Sequence, residues 1–214
     1  MRAFFTILIL CVGWSGFAKA LAPGASACVE AADAIQAELG LPRALLHAIA
    51  VTESGRWLKG TGDTVPWPWT IRVDGRSHYL DDRKAAVKKL ETLHAAGHRS
   101  IDVGCMQINL RYHPEAFETL AQALDPHANI RYAASFLLEL KAETRSWARS
   151  IGAYHSRTPK KSMAYRLRVQ RLWNSQRVDW IRRQRAAIEQ VNLETRRRRS
   201  PANTLTKAGE IGLW

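Results

Sequence analysis

The chain has 214 residues, 46% of them hydrophobic, and a formal net charge of +13. That excludes a chain too small to bury a core and suits one domain of ordinary size plus an extension. The charge is unevenly placed, with 15 Lys+Arg against 15 Asp+Glu over residues 21–156 and 15 against 4 over residues 157–214, so the body is neutral and the tail basic.

In chain order, Arg2 followed by the apolar run Ala3 to Val12 and the small-residue site Ala18, Lys19, Ala20 reads as a secretory signal over residues 1–20. The run is short for a bilayer span. The expected product is an exported, periplasmic or envelope protein, which argues against a nucleic acid as the partner of the basic tail. With Cys11 in the signal, Cys28 and Cys105 remain, an even pair in an oxidising compartment. A disulfide between them is expected, with two buried thiols or lipidation of Cys28 as alternatives.

Ala27 to Leu39 has helical spacing and stops at Gly40. Pro42 suits a first helical position, and Leu45, Ala48, Ile49 and Thr52 form one face leading to Glu53 at the carboxyl end of a second helix. Thr70 to Val73 and Arg76 to Leu80 flank Asp74 and Gly75, a pair that favours a tight hairpin turn. This is the only clear sheet signal, with Ile101 to Val103 as a short third strand.

Asp81 is expected to cap a helix from Arg83 to Ala96, ended by Gly97. Pro114 opens another to Leu124, Asp125 with Pro126 opens a central core helix to Glu143, and Trp147 to Tyr154 forms a short one. From Ser162 onward Tyr165, Val169, Leu172 and Trp173 continue a helical stripe. Residues 176–214 are expected to be a basic, partly disordered extension, with Arg196 to Arg199 and the Ser, Pro, Asn, Thr stretch after them unstructured.

A carboxylic acid at a helix carboxyl end feels the negative pole of the helix dipole, which disfavours its ionisation. Glu53 is therefore placed to remain protonated near neutral pH, as a general acid must. Three later strings accompany Glu53, Ser54 and Gly55: Gly104, Cys105, Met106, Gln107, Ile108, Asn109; then Asn129, Ile130 with Phe136, Leu137; then Ala153, Tyr154, His155. In that order and spacing, over roughly residues 24–175, they resemble the SLT lytic transglycosylases.

The resemblance implies a mostly α, lysozyme-like domain over residues 21–175, a helical body with a small β-hairpin lobe flanking a glycan cleft. It implies an enzyme that cleaves the MurNAc–GlcNAc β-1,4 bond of peptidoglycan, leaving 1,6-anhydro-MurNAc ends, with Glu53 as single acid and base. Tyr154 would stabilise or orient Glu53, Ser54 would hold substrate, and Met106 and Gln107 would line the sugar groove. Each has a structural alternative: a buried amide for Gln107, packing for Met106, a core ring for Tyr154. Trp67, Trp69 and Tyr79 offer flat faces for sugar rings or, as commonly, core packing.

The chain departs from the family pattern at Cys105, Ala133, Phe136 and His155, and its segment from Trp57 to Asp102 is long. A glycosidase that uses water needs a second carboxylate. Asp74 and Asp102 are the candidates; the turn accounts for Asp74, and a structural hydrogen bond would account for Asp102. The alternatives to a transglycosylase are a goose-type-like muramidase and a non-catalytic wall-binding or assembly protein. The histidines and cysteines form no metal-ligand pattern and no cofactor is implied. The basic tail is expected to engage an envelope machine or an anionic envelope polymer.

Overall fold

The structure, a computed structural model, describes residue 24 and residues 26–199. The expected signal at residues 1–20 and the stretch from Ser200 onward lie outside the described residues. The described chain is mostly helical with two small antiparallel sheets. Helices α1 (Ala27–Glu38), α2 (Leu45–Ser54), α5 (Pro126–Thr144), α6 (Trp147–His155) and α7 (Pro159–Arg199) form the body. Its core includes Ile35, Leu45, Leu46, Ile49, Ile130 and Leu137, all fully buried.

The lobe holds a hairpin of β1 (Gly55–Leu58) and β2 (Asp63–Pro66), and a sheet of β3 (Thr70–Val73), β4 (Arg76–Tyr79), β5 (Ile101–Val103) and β6 (Ile108–Asn109) in the order β4-β3-β5-β6. Helix α3 (Arg83–Ala95) and the short α4 (Leu120–Ala123) cover it. Leu90, Ile71, Ile101, Val103 and Leu124 form this second core.

The β3–β4 hairpin turns at Asp74 and Gly75 with φ of 49° and 76°, the left-handed pair such a turn requires. Register sets the faces. Ile71, Val103 and Ile108 pair across β3, β5 and β6 and are buried, whereas Arg72, Asp102 and Asn109 pair in the adjacent row and face away from that core.

Several boundaries differ from those expected. Helix α2 begins at Leu45 because Pro42 heads a turn, its carbonyl accepting from Leu45 N, and Ala44 takes a left-handed φ of 62°. The β1–β2 hairpin is an addition; its strands are four residues each and almost all half-buried or exposed, so they show no apolar alternation. The α3 cap is Asp82 rather than Asp81, its carboxylate accepting from Ala85 N. No helix opens at Pro114: the Asn109 side chain accepts from Arg111 N and Tyr112 N and holds turns there, leaving only α4, capped by Thr119.

Arg196 to Arg199 are helical, not disordered. Helix α7 runs for 41 residues, about 60 Å at 1.5 Å per residue. Its first half packs on α2 and α6, and Trp173 Nε1 donates to the Arg43 carbonyl. Its second half is exposed wherever its side chains are described, including Ile188 and Val191. Among the described residues no helix is long and apolar enough to cross a membrane.

Cys28 of α1 and Cys105 of the β5–β6 loop form a disulfide across a sequence separation of 77. It ties the helical body to the lobe. Replacing both by Ala is expected to cost about 2–4 kcal/mol, read as a lower urea midpoint, with the same loss when the native chain is reduced.

Candidate active site

Glu53 occupies the last turn of α2, where the chain passes at Gly55 directly into β1. A side chain at Gly55 would collide with the backbone, since a Cβ there would lie 2.4 Å from the Val51 carbonyl oxygen. Glu53 keeps part of its surface exposed, yet its carboxyl is desolvated enough to raise its pKa to about 7. Burial is the largest cause; Tyr165 lowers the pKa, Asp102 raises it, and Arg168 and Arg72 lower it.

Tyr165, on the buried face of α7, is the neighbour not expected from the sequence. Its ring is 1% exposed and stacks on His155 at 4.5 Å and 3° between planes. Its hydroxyl lies by the Glu53 carboxyl, close enough to favour the charged form of the acid, but reaches no partner in good hydrogen-bond geometry. The Tyr165 hydroxyl is thus a near contact of the Glu53 carboxyl. Burial first, then the Glu53 charge, hold the Tyr165 and Tyr154 phenols well above the ordinary tyrosine range, so both remain protonated donors.

Tyr154 is half-buried, and its hydroxyl donates to the Met106 carbonyl at 2.9 Å. It thus stands beside Glu53 electrostatically while anchoring the β5–β6 loop. His155 is held below the ordinary histidine range by burial, then by Arg168 and Arg72. It is a neutral ring at neutral pH.

The β5–β6 loop is built around Asn129 of α5, which is fully buried. Its Oδ1 accepts from Met106 N at 2.8 Å, and its Nδ2 donates to the Val103 and Ala123 carbonyls, each at 3.0 Å. Gly104 allows this approach: its φ is +80°, and a Cβ there would sit 2.5 Å from Asn129 Nδ2. Gly104→Ala is therefore expected to cost about 2 kcal/mol or more, from left-handed strain plus overpacking. The check is the chemical-denaturation midpoint of the purified variant.

Other expected site residues serve different ends. Ser54 does not line an open surface: it is fully buried, and its hydroxyl donates to the Cys105 carbonyl at 2.7 Å and the Ala50 carbonyl at 3.1 Å. Met106 does not line a groove with its side chain, which is fully buried in the helical core. Gln107 is half-buried at a left-handed φ of 48°, donating through Nε2 to the Thr70 and Gly104 carbonyls. Its Oε1 is buried without a hydrogen-bond partner.

Trp67 is not a sugar platform. It is 3% exposed, donates through Nε1 to the Leu80 carbonyl, packs edge-on against Trp69 and lies beneath the Arg56 guanidinium. Trp69 is half-buried against the lobe core. Tyr79 is 40% exposed and donates to the Gly55 carbonyl, so it stays available near the end of α2. Trp57, 60% exposed on β1, is an aromatic face that the sequence pattern did not single out.

Of the two other carboxylates, Asp74 lies at the hairpin turn, 74% exposed and 3.5 Å from His98, and does not perturb Glu53. Asp102 does. It is half-buried, accepts from Asn109 Nδ2 at 2.7 Å, and is held above the ordinary aspartate range, chiefly by burial. A groove of about 900 Å³ lies elsewhere, between α1, α2 and α7. Its lining holds no residue of this constellation, and the site is defined here by the chemistry around Glu53.

No protein-family model, curated protein or solved structure matches the chain.

Proposed function

We propose that this chain is an exported, lysozyme-like lytic transglycosylase that cleaves the glycan strands of peptidoglycan. The observation carrying the proposal is the Glu53 carboxyl, held near a pKa of about 7 beside two protonated tyrosines at the edge of a β lobe. Near neutral pH a large fraction of Glu53 is protonated and can donate to the glycosidic oxygen as the C1–O bond breaks. The resulting carboxylate then accepts the proton of the sugar's 6-hydroxyl as O6 bonds to C1. A 1,6-anhydro ring results, no water is consumed, and Glu53 returns to its starting state.

The Tyr165 hydroxyl, left without a good partner, is available to donate to the carboxylate formed midway. Tyr154 has the separate task of fixing the Met106 carbonyl and, with it, the β5–β6 loop.

One observation favours a second reading, hydrolysis. Asp102 perturbs Glu53 and shares its surroundings, so it is the residue that would activate water or stabilise the cleaved sugar. Asp102→Asn separates the two. A transglycosylase with a single acid would keep most of its rate in clearing purified sacculi, whereas a two-carboxylate hydrolase would lose on the order of 10²-fold or more. The basic segment 176–214 is proposed to hold the enzyme at an envelope machine or anionic envelope polymer. Unchanged localisation after its deletion would remove that part.

A further inference from the structure

Helices α6 and α7 touch at Gly152, where a Cβ would find no room against the Ser162 hydroxyl. His155 and Tyr165 each stand three residues further along their helices, and their rings meet face to face, 4.5 Å between centres and 3° between planes. Other aromatic contacts of the fold are tilted or edge-on, as Phe136 with Tyr154 at 48° and Trp67 with Trp69 at 89°. An imidazole lying parallel to a phenol blocks the phenol from tilting or turning, because either motion drives ring atoms into a neighbour already at contact distance.

The hydroxyl is the end of the Tyr165 side chain that such a motion would displace most. Tyr165 is 1% exposed, its hydroxyl is buried without a hydrogen-bond partner, and the Glu53 carboxyl is the near contact of that hydroxyl. His155 takes no part in the proton transfers proposed above. Four charged groups act on it: Arg168 and Lys161 of α7, Arg72 of β3 and Asp102 of β5. Burial and the three cations outweigh the one carboxylate, so the ring is neutral at neutral pH and serves as a flat surface rather than as a charge.

We propose that His155 is a positioning residue for the Glu53 acid: its ring, laid flat on Tyr165, holds the phenol where the hydroxyl meets the Glu53 carboxyl. The inference rests on reading Glu53 as the acid of a glycan-cleaving site. His155 acts through Tyr165 alone and touches neither the carboxyl nor the sugar. The sign of its effect follows from that route. Tyr165 favours the charged form of Glu53, so a phenol that drifts away leaves the acid harder to ionise and the carboxylate formed midway without its donor.

The experiment compares His155→Phe, which keeps a flat ring, with His155→Ala, which removes it, each also made with Tyr165→Phe. Two readouts are taken on the mature chain: the pKa of the Glu53 carboxyl by 13C NMR titration, which needs no substrate, and the pH profile of sacculus clearing. The expected result is that His155→Ala raises the Glu53 pKa by about 0.5–1 unit, moves the alkaline limb of activity up with it, and lowers kcat roughly 10-fold. His155→Phe should stay near the native values. In the Tyr165→Phe chain, His155→Ala should add nothing further, because the coupling runs through the missing hydroxyl. Should the Ala chain not fold, His155→Leu, which fills the space without a flat face, replaces it with the same expectation.

A Glu53 pKa that is unchanged or lowered in His155→Ala overturns the proposal; so does an equal shift from Ala and Phe, or a shift that persists in the Tyr165→Phe chain. A shift as expected in a native chain that cleaves no glycan would overturn the catalytic reading and leave the positioning of Glu53 standing. Cleavage by the native chain without the shift would do the reverse.

Discussion

Glu53→Gln should abolish glycan cleavage, lowering kcat on the order of 10²–10⁴-fold, and should at the same time make the protein more stable above neutral pH. The two effects have one origin. The fold desolvates a carboxyl that must sometimes be charged, raising its pKa from 4.5 to about 7. Between those values the folded state holds more protons than the unfolded state, so this group's contribution falls as pH rises and is lost by about pH 7. The loss amounts to about 3 kcal/mol at most. Glutamine keeps the shape without the charge.

The native chain should thus be the less stable of the two at pH 8, and the difference should narrow or reverse at pH 5. Urea midpoints of both chains at the two pH values measure it. A difference independent of pH would mean that Glu53 titrates normally. The same shift sets the alkaline limb of activity: as the acid deprotonates above about pH 7, kcat/KM should fall. Stability sacrificed at a site for chemistry is a common pattern in enzymes.

The second large effect is expected at Asn129, which touches no proposed substrate. Asn129→Ala leaves the Met106 N–H and the Val103 and Ala123 carbonyls without their side-chain partner. Each buried unsatisfied group costs roughly 1–3 kcal/mol, so a loss of about 3 kcal/mol or more is expected after relaxation. Asn129→Asp should do no better, because a carboxylate can accept from Met106 N but cannot donate to two carbonyls, and it would be a buried charge. Since the Met106 carbonyl also receives the Tyr154 hydroxyl, activity should fall with stability. Chemical denaturation together with sacculus clearing measures both.

Local chemistry made part of this legible in advance. Asp74 and Gly75 require a tight turn wherever they fall between two strands, and Asp125 before Pro126 opens a helix by capping; both stand where the residues alone placed them. The helix-end position of Glu53 was equally local, because it depends only on the apolar face that precedes it and the Gly that follows. Cys28 and Cys105 are paired, as the even number left outside the expected signal suggested.

What was not legible depends on partners distant in sequence. Trp67, Ser54 and Met106 carry side chains suited either to a ligand or to a core, and only the packing of α2 against the lobe and the loop decides that they face inward. Tyr165 belongs to a helical stripe legible in the sequence, but nothing near it in sequence says that the stripe passes beside Glu53. The extent of α7 escaped notice because its second half is exposed and lacks a continuous apolar face, so helical order there leaves little compositional trace.

The most direct test of the central claim is mass spectrometry of peptidoglycan digested by the mature chain, with Glu53→Gln alongside. The account predicts anhydro-ended muropeptides from the native chain and none from the variant. Reducing ends, heavier by one water or ~18 Da, would contradict the transglycosylase step and move the chemistry to Glu53 with Asp102; intact glycan from both chains would contradict catalysis altogether.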